Sequence, residues 1–131
     1  MQATQKTFIS STFWTERIGP SAALKTLEIM EREKSWKKIT KIGENISNRR
    51  HSLADKYDIS ISTSGLSALS NFKINSKNEI FYKTLITQEM LRKGFFASNS
   101  IYACTEHDKN IIDENFTKLD PIFEIIKECE Q

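Results

Sequence analysis

Several features that would indicate particular classes of protein are scarce in this sequence. It has only two cysteines, Cys104 and Cys129, and no Cys-x-x-Cys spacing, so neither a zinc nor a redox motif is indicated. A single disulfide is possible, but we expect two buried or half-buried thiols. No apolar run approaches the roughly 20 residues of a membrane-spanning helix, and the N-terminus lacks the hydrophobic core of a signal peptide. We therefore expect a cytoplasmic protein with no membrane partner.

The sequence also has little excess charge of either sign. The net charge is +2, with 27% charged and 38% hydrophobic residues in a chain of 131, a composition typical of a globular domain with its own core. The basic pairs Lys37-Lys38 and Arg49-Arg50 lie among other charges on a predicted helix, which favours a solvated face. No basic stripe is interleaved with aromatic residues, so we expect no nucleic-acid partner.

Apolar periodicity predicts four helices. They run from about Glu16 to Glu33, from an N-cap at Ser35 to Lys56, from Glu79 to Lys93, and from a cap at Asp108 onward. Gly94 is placed to end the third helix, whose inward residues are predicted to be Phe81, Leu85 and Leu91. Pro121 is expected to kink the fourth helix or divide it in two.

Three extended segments separate these helices. Ile59 to Thr63 alternates with period two, and Leu66 to Ile74 follows after a turn at Gly65, so the two predict an antiparallel hairpin. Phe95 to Cys104 is expected to add a third strand. The predicted fold class is therefore α+β: a small three- to four-stranded, mostly antiparallel sheet with helices packed on one face.

The segment from Phe8 to Glu28 carries the clearest functional pattern. A hydroxyl-rich run, including Ser10, Ser11 and Thr12, leads into a helix through Gly19-Pro20. Short hydroxyls and free backbone N–H groups near a helix start suit a bound phosphate. An ordinary capped helix after a loop has the same pattern.

Phe8 to Glu28 also resembles the phosphate-contacting loop and following helix of class III, fold-type I pyridoxal-phosphate-dependent aminotransferases. Met90 to Gly94 and Ser100 to Asp113 resemble two later blocks of that family at matching spacing. The nearest members are similar to glutamate-1-semialdehyde 2,1-aminomutase. The resemblance covers the C-terminal small domain of such enzymes almost end to end.

The resemblance implies that Thr12 donates to the cofactor phosphate in the active site of a neighbouring subunit, with Ser11 beside it. It also implies that residues 1–15 are the phosphate-loop segment from the end of a large domain and that residues 16–131 are the small domain. The Schiff-base lysine belongs to the large domain, and neither Lys6 nor Lys25 has its context. We therefore expect a fragment that is inactive alone and holds no pyridoxal phosphate stably. The parent would be a homodimer acting on amino and carbonyl small molecules.

Some alternatives stay open. Phe13 to Arg17 stands where the glutamate-1-semialdehyde enzymes tend to have a shorter form containing Gly-Asn-Pro, so the parent is an aminomutase or a transaminase of undetermined amino donor. A free-standing protein-interaction module derived from a truncated aminotransferase is the second interpretation. His107, beside Asp108, is assigned a structural role, and His51 a surface position.

Overall fold

The computed structural model describes residues 16–130. Four helices, two strands and a short 3₁₀ turn follow one another in this part of the chain: α1 (Ile18–Glu33), α2 (Ser35–Lys56), β1 (Ile61–Ser64), the 3₁₀ turn (Ser67–Leu69), β2 (Asn71–Ile74), α3 (Glu79–Arg92) and α4 (Lys109–Glu130). Contacts divide the chain into two units, residues 1–34 and residues 35–131. The larger unit contains both strands and three of the helices.

Helix α1 starts two residues later than predicted, with Arg17 at the N-cap position and the side chain of the preceding Glu16 folded over the helix start. The carboxylate of Glu16 accepts hydrogen bonds from the backbone N–H groups of Ile18, at 2.6 Å, and Gly19, at 3.1 Å. These groups have no partner within the helix, so the carboxylate satisfies them. Lys34 ends the helix in the left-handed conformation. No residue of α1 is buried.

The prediction that Ser35 caps α2 is wrong. Ser35 is the first residue of the helix, and its hydroxyl is a buried side-chain oxygen without a hydrogen-bond partner in the described part of the chain. The left-handed Lys34 turns the chain directly from α1 into α2, so no residue with extended backbone precedes α2 to act as its N-cap.

The predicted hairpin is confirmed, with shorter strands. β1 and β2 pair antiparallel, from Ile61 opposite Ile74 to Ser64 opposite Asn71. The inner face of β2 carries Phe72 and Ile74, both buried. The predicted second strand begins later than expected because residues 67–69 form the 3₁₀ turn.

The predicted third strand is not formed, so the described sheet has two strands rather than three or four. Residues 95–104 nevertheless run antiparallel to residues 68–72, with hydrogen bonds from Phe72 N to Asn99 O, Ile101 N to Ser70 O and Ala103 N to Ala68 O. The partner segment includes the 3₁₀ turn, whose backbone is not extended. A regular ladder therefore stops at the single bridge between Asn71 and Ser100.

Gly43 of α2 lets the 3₁₀ turn lie directly on the helix. A Cβ atom at this position would stand 1.8 Å from the carbonyl oxygen of Ser67 and 2.5 Å from its carbonyl carbon. Only a residue without a side chain permits such an approach of two backbones. The contact fixes where the hairpin sits along α2.

The buried face of α3 differs from the prediction by about one residue. Tyr82, Ile86 and Met90 are buried, whereas the expected inward residues Phe81 and Leu91 are exposed. A step of four residues keeps the three buried side chains on one face. The tyrosine hydroxyl leaves the core by donating to Glu130 at the end of α4, which is how a polar atom fits on a buried face.

The end of α3 is as predicted. Gly94 adopts φ +83°, the left-handed conformation that favours glycine. The backbone N–H of Phe95 donates to the carbonyl of Met90, and that of Gly94 donates to the carbonyl of Leu91. These bonds satisfy the last carbonyls of the helix and direct the chain away from its axis.

Helix α4 is continuous through Pro121, so the predicted division of this helix is wrong. Proline removes one intrahelical hydrogen bond. Buried residues on both sides of it hold the helix against the core: Ile112, Phe116, Leu119, Ile122, Phe123 and Ile126. The cap at Asp108 is confirmed, since its carboxylate accepts the N–H of Ile111 at 2.8 Å.

Polar contacts join the helices at the edges of the core. Asp120 of α4 accepts hydrogen bonds from Lys56 at 2.6 Å and from Tyr57 at 2.9 Å. The hydrogen bond from Lys56, followed by that from Tyr57, holds the pKa of Asp120 below its ordinary value. At the other edge Lys93 donates to the carbonyl of Lys118, and Lys118 donates to the carbonyl of Lys93.

Candidate functional site

A cavity of about 440 Å³ lies within the larger unit. Its walls come from α2, β2, α3 and α4, and residues 95–102 cover one side. The volume falls in the range of about 300–1,000 Å³ found for small-molecule sites.

Arg50 of α2 lines this cavity and is 5% exposed. Its Nη1 atom donates to the hydroxyl of Ser70 at 3.2 Å and more weakly to the Ser70 carbonyl at 3.4 Å. The guanidinium lies over the ring of Phe72, 4.6 Å from the ring centre. These contacts orient the group without neutralising its charge.

No carboxylate within residues 16–130 forms an ion pair with Arg50; the neighbouring Arg49 is paired with Asp113. Burial lowers the pKa of Arg50 to about 10. The guanidinium therefore remains charged at neutral pH in surroundings that solvate it poorly. A buried charge without a counter-ion is costly, and an anion in the cavity would offset that cost.

The rest of the cavity wall is mostly apolar, with a few polar groups. Ile86, Met90 and Phe95 are among its apolar residues. The hydroxyls of Thr87 and Ser98 are hydrogen-bonded to each other at 2.9 Å. Asn115 also lines the cavity. The arrangement suits an apolar ligand with one anionic group.

The histidines have the roles that the sequence predicts. Nδ1 of His107 accepts the backbone N–H of Cys104 at 3.3 Å in the turn before α4. His51 is exposed, with Nε2 3.4 Å from the hydroxyl of Thr63. The expectation of buried or half-buried thiols is wrong, because Cys104 lies in that turn and Cys129 in the last turn of α4, and both are exposed and free.

The residues predicted to contact the cofactor phosphate, Thr12 and Ser11, lie outside the described residues, as do the rest of residues 1–15. Their fit to a phosphate therefore stays a prediction.

Arg50 is the residue that the sequence interpretation missed, because it was assigned with Arg49 to a solvated face. Its spacing contains a signal: Arg50 follows the buried Ile46 by four residues and precedes the buried Leu53 by three. That places it on the apolar face of α2.

Within residues 16–130 no group of histidine, cysteine, aspartate and glutamate side chains is arranged to hold a metal ion. The helices of this part of the chain include none that is long and apolar enough to cross a membrane.

Comparison with known proteins places this fold in a structural context. No family model matches the sequence, and no curated protein matches it. Among solved structures, the chain is similar to the pyridoxal phosphate internal aldimine form of the FumI protein of Sphingopyxis sp. MTA144, with a TM-score of 0.79 and 14% sequence identity. The similarity covers 95% of this chain and 31% of the FumI chain. The α+β fold described here is therefore similar to one portion of a pyridoxal-phosphate protein.

Proposed function

We propose that this chain is the C-terminal small domain of a pyridoxal-phosphate-dependent aminotransferase or aminomutase of class III. The structural similarity over 95% of the chain to a pyridoxal-phosphate protein carries the proposal. The block around Thr12 adds support from sequence, since its hydroxyls precede a helix start. In this proposal the parent enzyme moves an amino group between or within carbonyl substrates, in the manner of glutamate-1-semialdehyde aminomutase and its relatives.

The small domain has three roles in this proposal. It closes over the substrate, it contributes contacts to a homodimer, and Thr12 with Ser11 binds the cofactor phosphate of the neighbouring subunit. The cofactor, when bound, supplies the electron sink for amino-group transfer. The lysine that carries the cofactor belongs to the large domain, so the isolated chain is inactive.

Helix α1 supports a role in contacting another domain or subunit. Its apolar residues Ile18, Leu24 and Leu27 are all exposed, Ile18 to 79%. Apolar side chains at this density on one helix are typical of a surface that is covered in an assembly. We propose that the large domain and the second subunit bury this apolar surface of α1.

The Thr12→Ala substitution in the enzyme that joins this chain to its large domain tests the proposal. A charge-assisted hydrogen bond contributes about 1.5–3 kcal/mol, so we expect cofactor affinity to fall by about 10- to 150-fold. The affinity is measured by titrating the apoenzyme with pyridoxal phosphate and following cofactor absorbance. Thr7→Ala, a threonine of the same segment without an assigned role, is the matched control. Equal affinities for wild type and Thr12→Ala would contradict the proposed phosphate contact.

The chain by itself should acquire no pyridoxal phosphate at a defined lysine. Mixing it with the cofactor, reducing with borohydride and mapping peptides by mass spectrometry is expected to give only scattered, substoichiometric modification. One stoichiometric pyridoxyl-lysine would overturn the assignment of the Schiff-base lysine to another domain. If the gene upstream of Met1 encodes no such lysine, the interaction module becomes the better interpretation.

A further inference from the structure

We propose that the cavity around Arg50 is a binding site for a small carboxylic acid with an apolar tail. The described residues that line it all lie between positions 46 and 119. The argument uses these residues alone, so it depends on neither Thr12 nor the pyridoxal phosphate assignment, and it can be tested on this chain.

The charge of Arg50 is the first step of the argument. The guanidinium has five N–H donors, and the hydrogen bonds to Ser70 use only Nη1. Within residues 16–130 the Nε and Nη2 atoms make no hydrogen bond. Neither is a fully buried unpartnered atom, since Ser35 Oγ is the one such atom in this part of the chain, so both nitrogens keep some access to solvent. A carboxylate accepts two parallel hydrogen bonds from such a fork. The group is thus prepared for a planar anion.

The orientation of Arg50 is the second step. Its guanidinium is stacked on the Phe72 ring and tethered to Ser70, and both partners are themselves buried. A side chain held in this way loses little further freedom when a ligand binds. Because Arg50 is already ordered, ligand binding costs little side-chain entropy at this residue.

The surroundings of Arg50 specify the rest of the ligand. Ile86, Met90 and Phe95 offer an apolar wall that suits a hydrocarbon tail, and Asn115 is among the polar residues that line the cavity. His107 also lines the cavity, but Arg50 is the only arginine, lysine, aspartate or glutamate among the described lining residues. One guanidinium balances one negative charge, whereas a phosphate dianion would leave an excess charge in a mostly apolar cavity. A monocarboxylate therefore fits better than a phosphate ester.

Octanoate is the probe for the first experiment, and octanol is its uncharged counterpart. Isothermal titration of the chain with each compound is expected to show that octanoate binds about 10- to 100-fold more tightly, because only the carboxylate bonds with Arg50. Amide chemical shifts should change at Thr87, Ala97 and Asn115 but not at the exposed His51. Equal binding of the two compounds, no binding of octanoate, or shifts confined to the outer surface would overturn the proposal.

Two neighbouring arginines supply a matched pair of variants. Arg50→Met is expected to weaken octanoate binding at least about tenfold, whereas Arg49→Met, which changes an arginine paired with Asp113 outside this cavity, leaves it within about twofold. Equal losses in the two variants would contradict a role for Arg50.

A third variant keeps the test decisive if Arg50→Met does not fold. Ala97 lies in the covering segment and lines the cavity, so Ala97→Leu reduces its volume with Arg50 in place. This variant is expected to lose octanoate binding while its circular dichroism spectrum stays unchanged. Undiminished binding by a folded Ala97→Leu would place the ligand elsewhere and overturn the proposal.

Discussion

Gly43→Ala is expected to destabilise the larger unit by about 2–3 kcal/mol, although alanine is the better helix former. At an open helical position the same change would stabilise the protein by about 1 kcal/mol. Here the added Cβ would lie 1.8 Å from the Ser67 carbonyl oxygen, a separation that backbone atoms relieve only by moving the 3₁₀ turn. Overpacking of that kind costs about 1–3 kcal/mol or more. Urea unfolding followed by circular dichroism measures the change.

Gly94→Ala is the control variant, because it replaces a glycine without introducing a steric clash. A Cβ atom at position 94 meets nothing within 4 Å, and only the positive φ is unfavourable, so a loss of about 1–2 kcal/mol is expected. If Gly43→Ala proves neutral or stabilising, the 3₁₀ turn does not lie against α2 in solution.

Phe123→Ala is expected to have the larger effect, a loss of about 3–5 kcal/mol. Phe123 is fully buried, at 0% exposure, and its ring stacks at 6.3 Å from that of Phe72. Truncation removes an aromatic side chain from the contact between α4 and β2. It also leaves a cavity that a continuous helix cannot close by shifting. The midpoint of thermal unfolding and the free energy of unfolding in urea both report the loss.

Phe96→Ala is the control for loss of an aromatic ring. Phe96 is fully exposed, so its truncation should change the free energy of unfolding by less than about 0.5 kcal/mol. A Phe123→Ala protein that unfolds at the same urea concentration as Phe96→Ala would mean that α4 does not pack on the sheet through this residue.

The helices could be predicted from the sequence because their signals are local. The cap at Asp108 and the terminating Gly94 act within a few residues, and both predictions are confirmed. The strand count could not be predicted in the same way. Whether Phe95 to Cys104 forms a strand depends on its partner, and that partner contains a 3₁₀ turn that lies against Gly43 of α2. Alternation of apolar residues in a segment does not show which other segment it pairs with, because strand pairing depends on the tertiary structure.

The two candidate sites differ in the same way: one has a local sequence signal and the other depends on tertiary packing. The hydroxyl-rich segment around Thr12 stands out in the sequence itself, and its role stays a prediction. Arg50 was missed because a charged residue on a helix is ordinarily solvated. Its burial arises in the tertiary structure, where its guanidinium contacts Ser70 and the ring of Phe72. The spacing of Arg50 from Ile46 and Leu53 places it on the apolar face of α2. We gave more weight to the charge of the residue than to this spacing.

The weak attachment of residues 95–104 to the sheet has a kinetic consequence. Three backbone hydrogen bonds, at residues 99, 101 and 103, pair this segment with residues 68–72. Phe95, Ala97 and Ile101 pack against the core but are only partly buried. Segments with few such bonds open locally at a free energy below that of global unfolding. Because this segment lines the cavity, we expect its local opening to contribute to ligand exchange at the proposed Arg50 site. Substitutions in this segment are then expected to change the residence time of a ligand more than they change the free energy of global unfolding.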